Sequence, residues 1–416
     1  MLTRLKEIWQ SYQRIKPAIL NLIIAQLFLN LINASFFLLF NYFLAKNGYE
    51  DHLIANIVSY RFLAIMAASF PLGLFIKGRH LKPFFYFASI VVPLASLSII
   101  YAATNRLDPL LYTSMVIWGV AFTSIRVTSI PFILLNSDED QHSEGISLHF
   151  QTFSLSIFTT GLLSFFLKHY VPGVDEAFLL KIFSVLGFAS VFFVWRISIQ
   201  EKKSDKVPLK SAVTSYDWGR IVKVLIPTLI IAVGAGFTIP FINLFFYKVH
   251  GMDSDFFSLL SSLTYLLVVL GVFVIPTIKR RFGYKVAITL IQSLAILMLI
   301  LLASTEFYSN PGIAVYLAVV FYSLRQPLMN VAGPMTQELM MYYVGRQNRE
   351  LVSALNASIW AGSWFISSQI FRGLRAIDVS YAYILLLTAA LYAIGVLWHY
   401  FIILEFYRRK REAVTP

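Results

Sequence analysis

The chain has 416 residues, of which 58% are hydrophobic and only 13% charged, and it carries a net charge of +13. Such a composition excludes a water-soluble globule and puts the protein in a bilayer. Cysteine is absent, which excludes a disulfide framework, thiol catalysis and a cysteine-based metal site.

In chain order, residues 2–16 hold four basic side chains and are expected to lie as a helix on the membrane surface. They are not expected to be a cleaved signal, because the apolar run that follows is too long for a signal core. Runs of about 20 apolar residues, enough to cross ~30 Å of hydrocarbon, then recur twelve times. The expected spans are 18–44, 51–76, 83–103, 109–136, 145–168, 177–198, 221–248, 254–278, 286–304, 312–341, 350–374 and 380–406. Six fall in each half. Residues 1–198 are read as an N-terminal six-helix bundle, 199–219 as a short polar cytoplasmic linker, and 220–416 as a C-terminal bundle.

Basic loops are retained in the cytoplasm during insertion. Of the 34 Lys and Arg residues, 24 fall on one side of this scheme, 7 on the other and 3 within spans, so both termini are expected inside. The basic runs 408–411 and 279–281 then meet anionic headgroups, which accounts for the positive charge without nucleic acid. The acidic run 137–144 is the exception, and acidic residues contribute little to orientation.

The halves repeat each other. Asn41, Lys46, Ile76, Lys77 and Arg79 recur 202 residues later as Asn243, Lys248, Ile278, Lys279 and Arg281, and Phe122, Ser124 and Arg126 recur at an offset of 199 as Phe321, Ser323 and Arg325. Repeats of this size in so apolar a chain point to the duplicated bundles of secondary transporters. Six plus six helices, inside termini, and basic turns after helices 2 and 8 (Gly73 to Lys82 and Lys279 to Lys285) together resemble the major facilitator superfamily over almost the whole chain. That resemblance implies an all-α membrane fold of two pseudo-symmetric six-helix bundles, with helices 1, 4, 7 and 10 around a central cavity. It also implies gating through the basic turns, here Lys77, Arg79, Arg280 and Arg281. The superfamily's acidic residue is missing from both turns, and helix 5, starting Ile146-Ser147-Leu148-His149, lacks the Gly-Pro motif common in drug and sugar exporters.

An ionisable group at membrane depth costs ~2.5–3.5 kcal/mol on insertion scales and therefore faces protein or a wet cavity. Arg61, Arg126 and Arg325 qualify, and no Asp or Glu lies at comparable depth to neutralise them. A guanidinium offers a planar fork suited to carboxylate or phosphate, so an anionic cargo is expected; the competing role is bracing adjacent helices. Amides lie in stripes: Gln26, Asn30, Asn33, Phe37 and Asn41 on helix 1, and Gln326, Asn330, Gly333 and Gln337 on helix 10. Asn356 and Trp360 on helix 11, and Asn243 below a flexible Gly234-Ala-Gly236 segment on helix 7, complete the candidate cargo contacts. Pro327 and Pro334 are candidate bending points for gating. His149 is the candidate for proton coupling, because imidazole titrates near neutral pH; His399 is a weaker one.

Together these features predict a secondary transporter working by alternating access on a small organic anion or zwitterion, with a coupling proton or cation and no cofactor. No nucleotide-binding loop or metalloprotease motif is present, so an enzyme is not expected. Alternatives are a lipid or lysolipid flippase, a multidrug or sugar exporter, and, from another class, a non-transporting membrane sensor. Compact loops without organelle-targeting signals point to a bacterial inner membrane.

Overall fold

The computed structural model describes residues 15–76, 78–138, 142–199, 217–272, 281–345 and 348–412. The expected surface helix before residue 15, most of the linker, the gating candidates Lys77 and Arg280, and the centre of the acidic loop lie outside the described residues.

Among the described residues the chain is helical, without strands. The helices are α1 (Pro17–Lys46), α2 (Asp51–Phe75), α3 (Lys82–Thr104), α4 (Asp108–Asn136), α5 (His142–Tyr170), α6 (Glu176–Trp195), α7 (Trp218–His250), α8 (Ser254–Val272), α9 (Arg281–Phe307), α10 (Pro311–Val344), α11 (Arg349–Ala376) and α12 (Tyr381–Glu412). Among the described residues, eleven of these are long and apolar enough to cross a membrane. The twelfth, α11, has the length at 28 residues but carries Asn356, Ser363, Ser367, Ser368 and Gln369, which lower its apolar content.

Caps fix several helix starts. The side chains of Asp175, Asp217 and Asn310 accept from the backbone N–H groups of Phe178, Arg220 and Ile313, and Pro311 follows Asn310 where its missing N–H costs nothing. Two helices are irregular. α7 passes through a 3-10 turn at Ile239–Phe241, where Pro240 removes a backbone donor, and α9 holds a π-helical run at Lys285–Leu290.

Contacts divide the chain into two units, Met1–Tyr49 with Tyr60–Val207, and Glu50–Ser59 with Pro208–Pro416. In the first, α1 packs against α5 and α6, α3 against α4, and α3 against α6. In the second, α7 packs against α11 and α12, α9 against α10, and α9 against α12. The same neighbours recur six helices on, so the sequence repeat is a repeat of packing. The opening turns of α2 belong to the second unit because Asp51 there accepts from the Arg375 guanidinium at 2.9 Å and the Tyr381 hydroxyl at 2.6 Å. In the first unit, Glu176, only 4% exposed, takes both Lys46 and Lys168 on one oxygen, at 2.8 and 2.7 Å.

The Gly234-Ala-Gly236 segment is a place of close helix approach. A Cβ on Gly236 would stand 2.6 Å from the Ser367 Cβ, and one on Gly234 3.0 Å from the Tyr392 ring, so these glycines let α7 approach α11 and α12. Glycines at the basic turns do serve conformation: Gly78 and Gly283 have φ of 70° and 69°, a left-handed backbone that other residues enter at a cost.

Candidate functional site

Arg126 lies ten residues from the C-terminal end of α4, about 15 Å at helical rise. It is exposed, and among the described residues it makes no hydrogen bond or ion pair. Its charge acts on both Arg61 and His149, which places all three in one neighbourhood of the first unit. Trp118, Phe122 and Arg126 follow one another at steps of four on α4, a single face of the helix. The Phe122 and Trp118 rings stack at 5.0 Å, and the Arg61 guanidinium lies over the Trp118 ring at 4.1 Å. Arg61 donates to Asn33 Oδ1 at 2.8 Å, while its Nε and the indole nitrogen of Trp118 are buried without a hydrogen-bond partner.

The amide stripe of α1 connects helices. Gln26 donates to Ser129 Oγ on α4 at 2.5 Å and accepts from His149 Nδ1 on α5 at 2.8 Å; Asn30 donates to Thr152 Oγ1 on α5 at 2.8 Å; Asn33 takes Arg61 on α2. His149 thus keeps the proton on Nδ1, and its Nε2 has no partner among the described residues. Each of these amides is committed to a neighbouring helix, while Arg126 is uncommitted.

The repeat-related arginine is differently placed. Arg325 is 2% exposed in the second unit, donating to Gln326 Oε1 at 2.8 Å and to the Tyr392 hydroxyl at 3.3 Å. Gln326 is buried with it, and Asn330, exposed, donates back to the Gln326 carbonyl of its own helix at 2.8 Å. Asn243 is 1% exposed, its Oδ1 accepting from the Leu244 N–H where α7 resumes after its 3-10 turn. Asn356 and Trp360 are half-buried on α11, with Trp360 edge-on to Trp364 at 6.4 Å. Pro327 and Pro334 both lie inside the unbroken α10. Of the basic gating candidates that are described, Arg79 lies over the Phe75 ring at 4.0 Å and Arg281 over Phe282 at 5.4 Å, both exposed. His399 is buried, with Nδ1 unpartnered.

Trp118 and the tyrosines around Arg325 were missed in the sequence, although a signal was there. Trp118 stands two helical turns before Arg126, and Tyr322 one turn before Arg325.

The family model of the Major Facilitator Superfamily matches residues 22–368. The chain belongs to the Major Facilitator Superfamily. Its solved relatives in fold include a mutant of the nucleoside transporter NupG, at 14% identity and a TM-score of 0.63, covering 94% of this chain and 99% of that one. A D-xylose-proton symporter matches at 12% identity and a TM-score of 0.69, covering 92% and 95%. A bacterial homologue of the iron transporter ferroportin, in an inward-facing state, matches at 12% identity and a TM-score of 0.72, covering 94% and 98%. These likenesses establish the shared fold. No curated protein matches the chain by sequence. The superfamily member described here is a multi-pass integral membrane protein, all-helical, of a family of transporters.

Proposed function

We propose that this superfamily member is a secondary transporter moving a small organic anion or zwitterion by alternating access, with Arg126 receiving the cargo's acidic group. The observation that carries this is the setting of Arg126: an exposed guanidinium at membrane depth with no hydrogen-bond or ionic partner among the described residues. A guanidinium stays protonated, and its fork of donors matches a carboxylate or phosphate in two parallel bonds. Arg61 adds a second positive charge nearby, held in place by Asn33 and Trp118. Asn30 and Asn33 position this wall. His149, with Nε2 unpartnered, is the proposed proton carrier; a D-xylose-proton symporter is among the fold relatives. Both termini are assigned to the cytoplasmic side of a bacterial inner membrane.

A second reading has its own observation. A cavity of about 270 Å³ on the first unit, lined by Ala68, Leu72, Pro83, Phe84, Phe87, Val120 and Ser124, is almost wholly apolar and lies against the same α4 that carries Arg126. It suits an acyl chain, with Arg126 taking a lipid phosphate.

Equilibrium binding of a panel of water-soluble carboxylates and phosphates, and of lysolipids, to the detergent-solubilised protein separates the two. Saturable binding of a soluble anion, weakened roughly 30-fold or more by Arg126→Gln, supports the first. Binding confined to lysolipids supports the second, and binding indifferent to Arg126 overturns both.

A further inference from the structure

Arg325 plays no part in the proposed cargo chemistry, and the side chains around it point to a different ligand. Tyr322, Arg325 and Gln326 share one face of α10, and Ser258, Ser261 and Tyr265 share one face of α8, which packs against it. Tyr392 of α12 completes the enclosure, its ring 5.9 Å from the Arg325 guanidinium and its hydroxyl accepting from it. Exposure is 2% at Arg325, 1% at Tyr322 and Tyr392, and 0% at Ser258 and Ser261. Gln326 and the tyrosines supply dipoles but no negative charge. Among the described residues no carboxylate pairs with Arg325; on α10 the next acid is Glu338, thirteen residues further, about 20 Å at helical rise.

Four polar atoms here have no hydrogen-bond partner: Arg325 Nε, the Tyr322 hydroxyl, and the hydroxyls of Ser258 and Ser261. The Tyr322 and Ser261 hydroxyls are within reach of each other and can pair by rotation, and Tyr322 also lies near Arg325, so what the cluster leaves unmet is the Arg325 Nε donor and the guanidinium charge. A buried cation without a counter-charge is among the most costly arrangements a protein interior can hold, and unsatisfied buried donors add to the cost. Water would satisfy the donors but leave the charge. A small anion does both, and the enclosure by fully buried side chains limits its size.

We infer that Arg325, Tyr322 and Ser261 form a binding site for a halide-sized monovalent inorganic anion inside the second unit, separate from the cargo site at Arg126. The ion neutralises the guanidinium and ties α8, α10 and α12 together, so it acts as a structural ligand of the transporter.

The test is thermal unfolding of the purified full-length protein in detergent with sodium chloride, bromide or gluconate at constant ionic strength, joined to a bromide anomalous-scattering map. The expected result is a saturable rise of several degrees in Tm with either halide, and an anomalous peak beside Arg325 Nε. Tyr322→Phe keeps the ring and removes one donor, and should raise the half-saturating halide concentration by about fivefold. Arg325→Gln should abolish the halide response; because that variant is informative only when it folds, Tyr322→Phe serves as the independent one. Equal Tm values in all three salts overturn the proposal. So does a halide response that survives both variants, or one that Arg126→Gln abolishes, which would put the ion at the cargo site. Anion-cargo binding at Arg126 is measured separately, so either result can fail without the other.

Discussion

Arg126 and Arg325 occupy equivalent places in the two halves yet live in opposite settings, one exposed and unpartnered, the other enclosed by tyrosines. The difference arises from their neighbours. Tyr322 and Gln326 flank Arg325 on its own helix face, whereas Phe122 and Trp118 flank Arg126 and stack with each other instead of offering acceptors. That a charge at this depth needs a partner was legible in the sequence from hydration cost alone. Which partner it finds was not, because the answer depends on side chains from other helices, such as Tyr392. His149 gives a test at this scale. Gln at position 149 retains a donor for Gln26 but has no titratable nitrogen, so uptake by His149→Gln should lose its pH dependence while staying within about threefold of the parent at the alkaline end. An unchanged pH profile would move coupling to another group.

Among the elements, apolar runs of membrane-spanning length made the twelve helices legible, while the caps at Asp175 and Asn310 that fix two of their starts came only with the structure. The amide stripe of α1 was equally visible, but its use was not: Gln26, Asn30 and Asn33 bind α4, α5 and α2. A stripe facing a cavity and a stripe facing other helices share one periodicity. Glycine carries a similar ambiguity, since close approach and flexibility leave the same letter. Gly119 of α4 shows the first role, for a Cβ there would lie 2.8 Å from the Arg61 carbonyl oxygen and from the Ala64 Cβ of α2. Backbone cannot rotate away as a side chain can. Gly119→Val should therefore destabilise the first unit by about 1–3 kcal/mol, read as a fall in Tm, and should weaken anion binding by displacing Arg61. A variant as stable as the parent would show that α2 and α4 are less tightly apposed.

For the whole molecule, the repeat seen in Asn41, Lys46 and Arg79 and their partners 202 residues on reappears as matching helix neighbours in the two units. The orientation proposed from basic residues is open to a direct test, because the chain has no cysteine to give background labelling. Lys410→Cys should react with a membrane-impermeant maleimide only after the membrane is opened, and Asp378→Cys should react in intact cells. The reverse pattern would invert the topology. The most direct measurement of the central claim is flux: purified protein in proteoliposomes, loaded with the anion found by binding, exchanging it for labelled anion outside. Exchange should be saturable, lost in Arg126→Gln and intermediate in Arg126→Lys, which keeps the charge without the planar fork. Exchange at parental rates in Arg126→Gln would contradict the account.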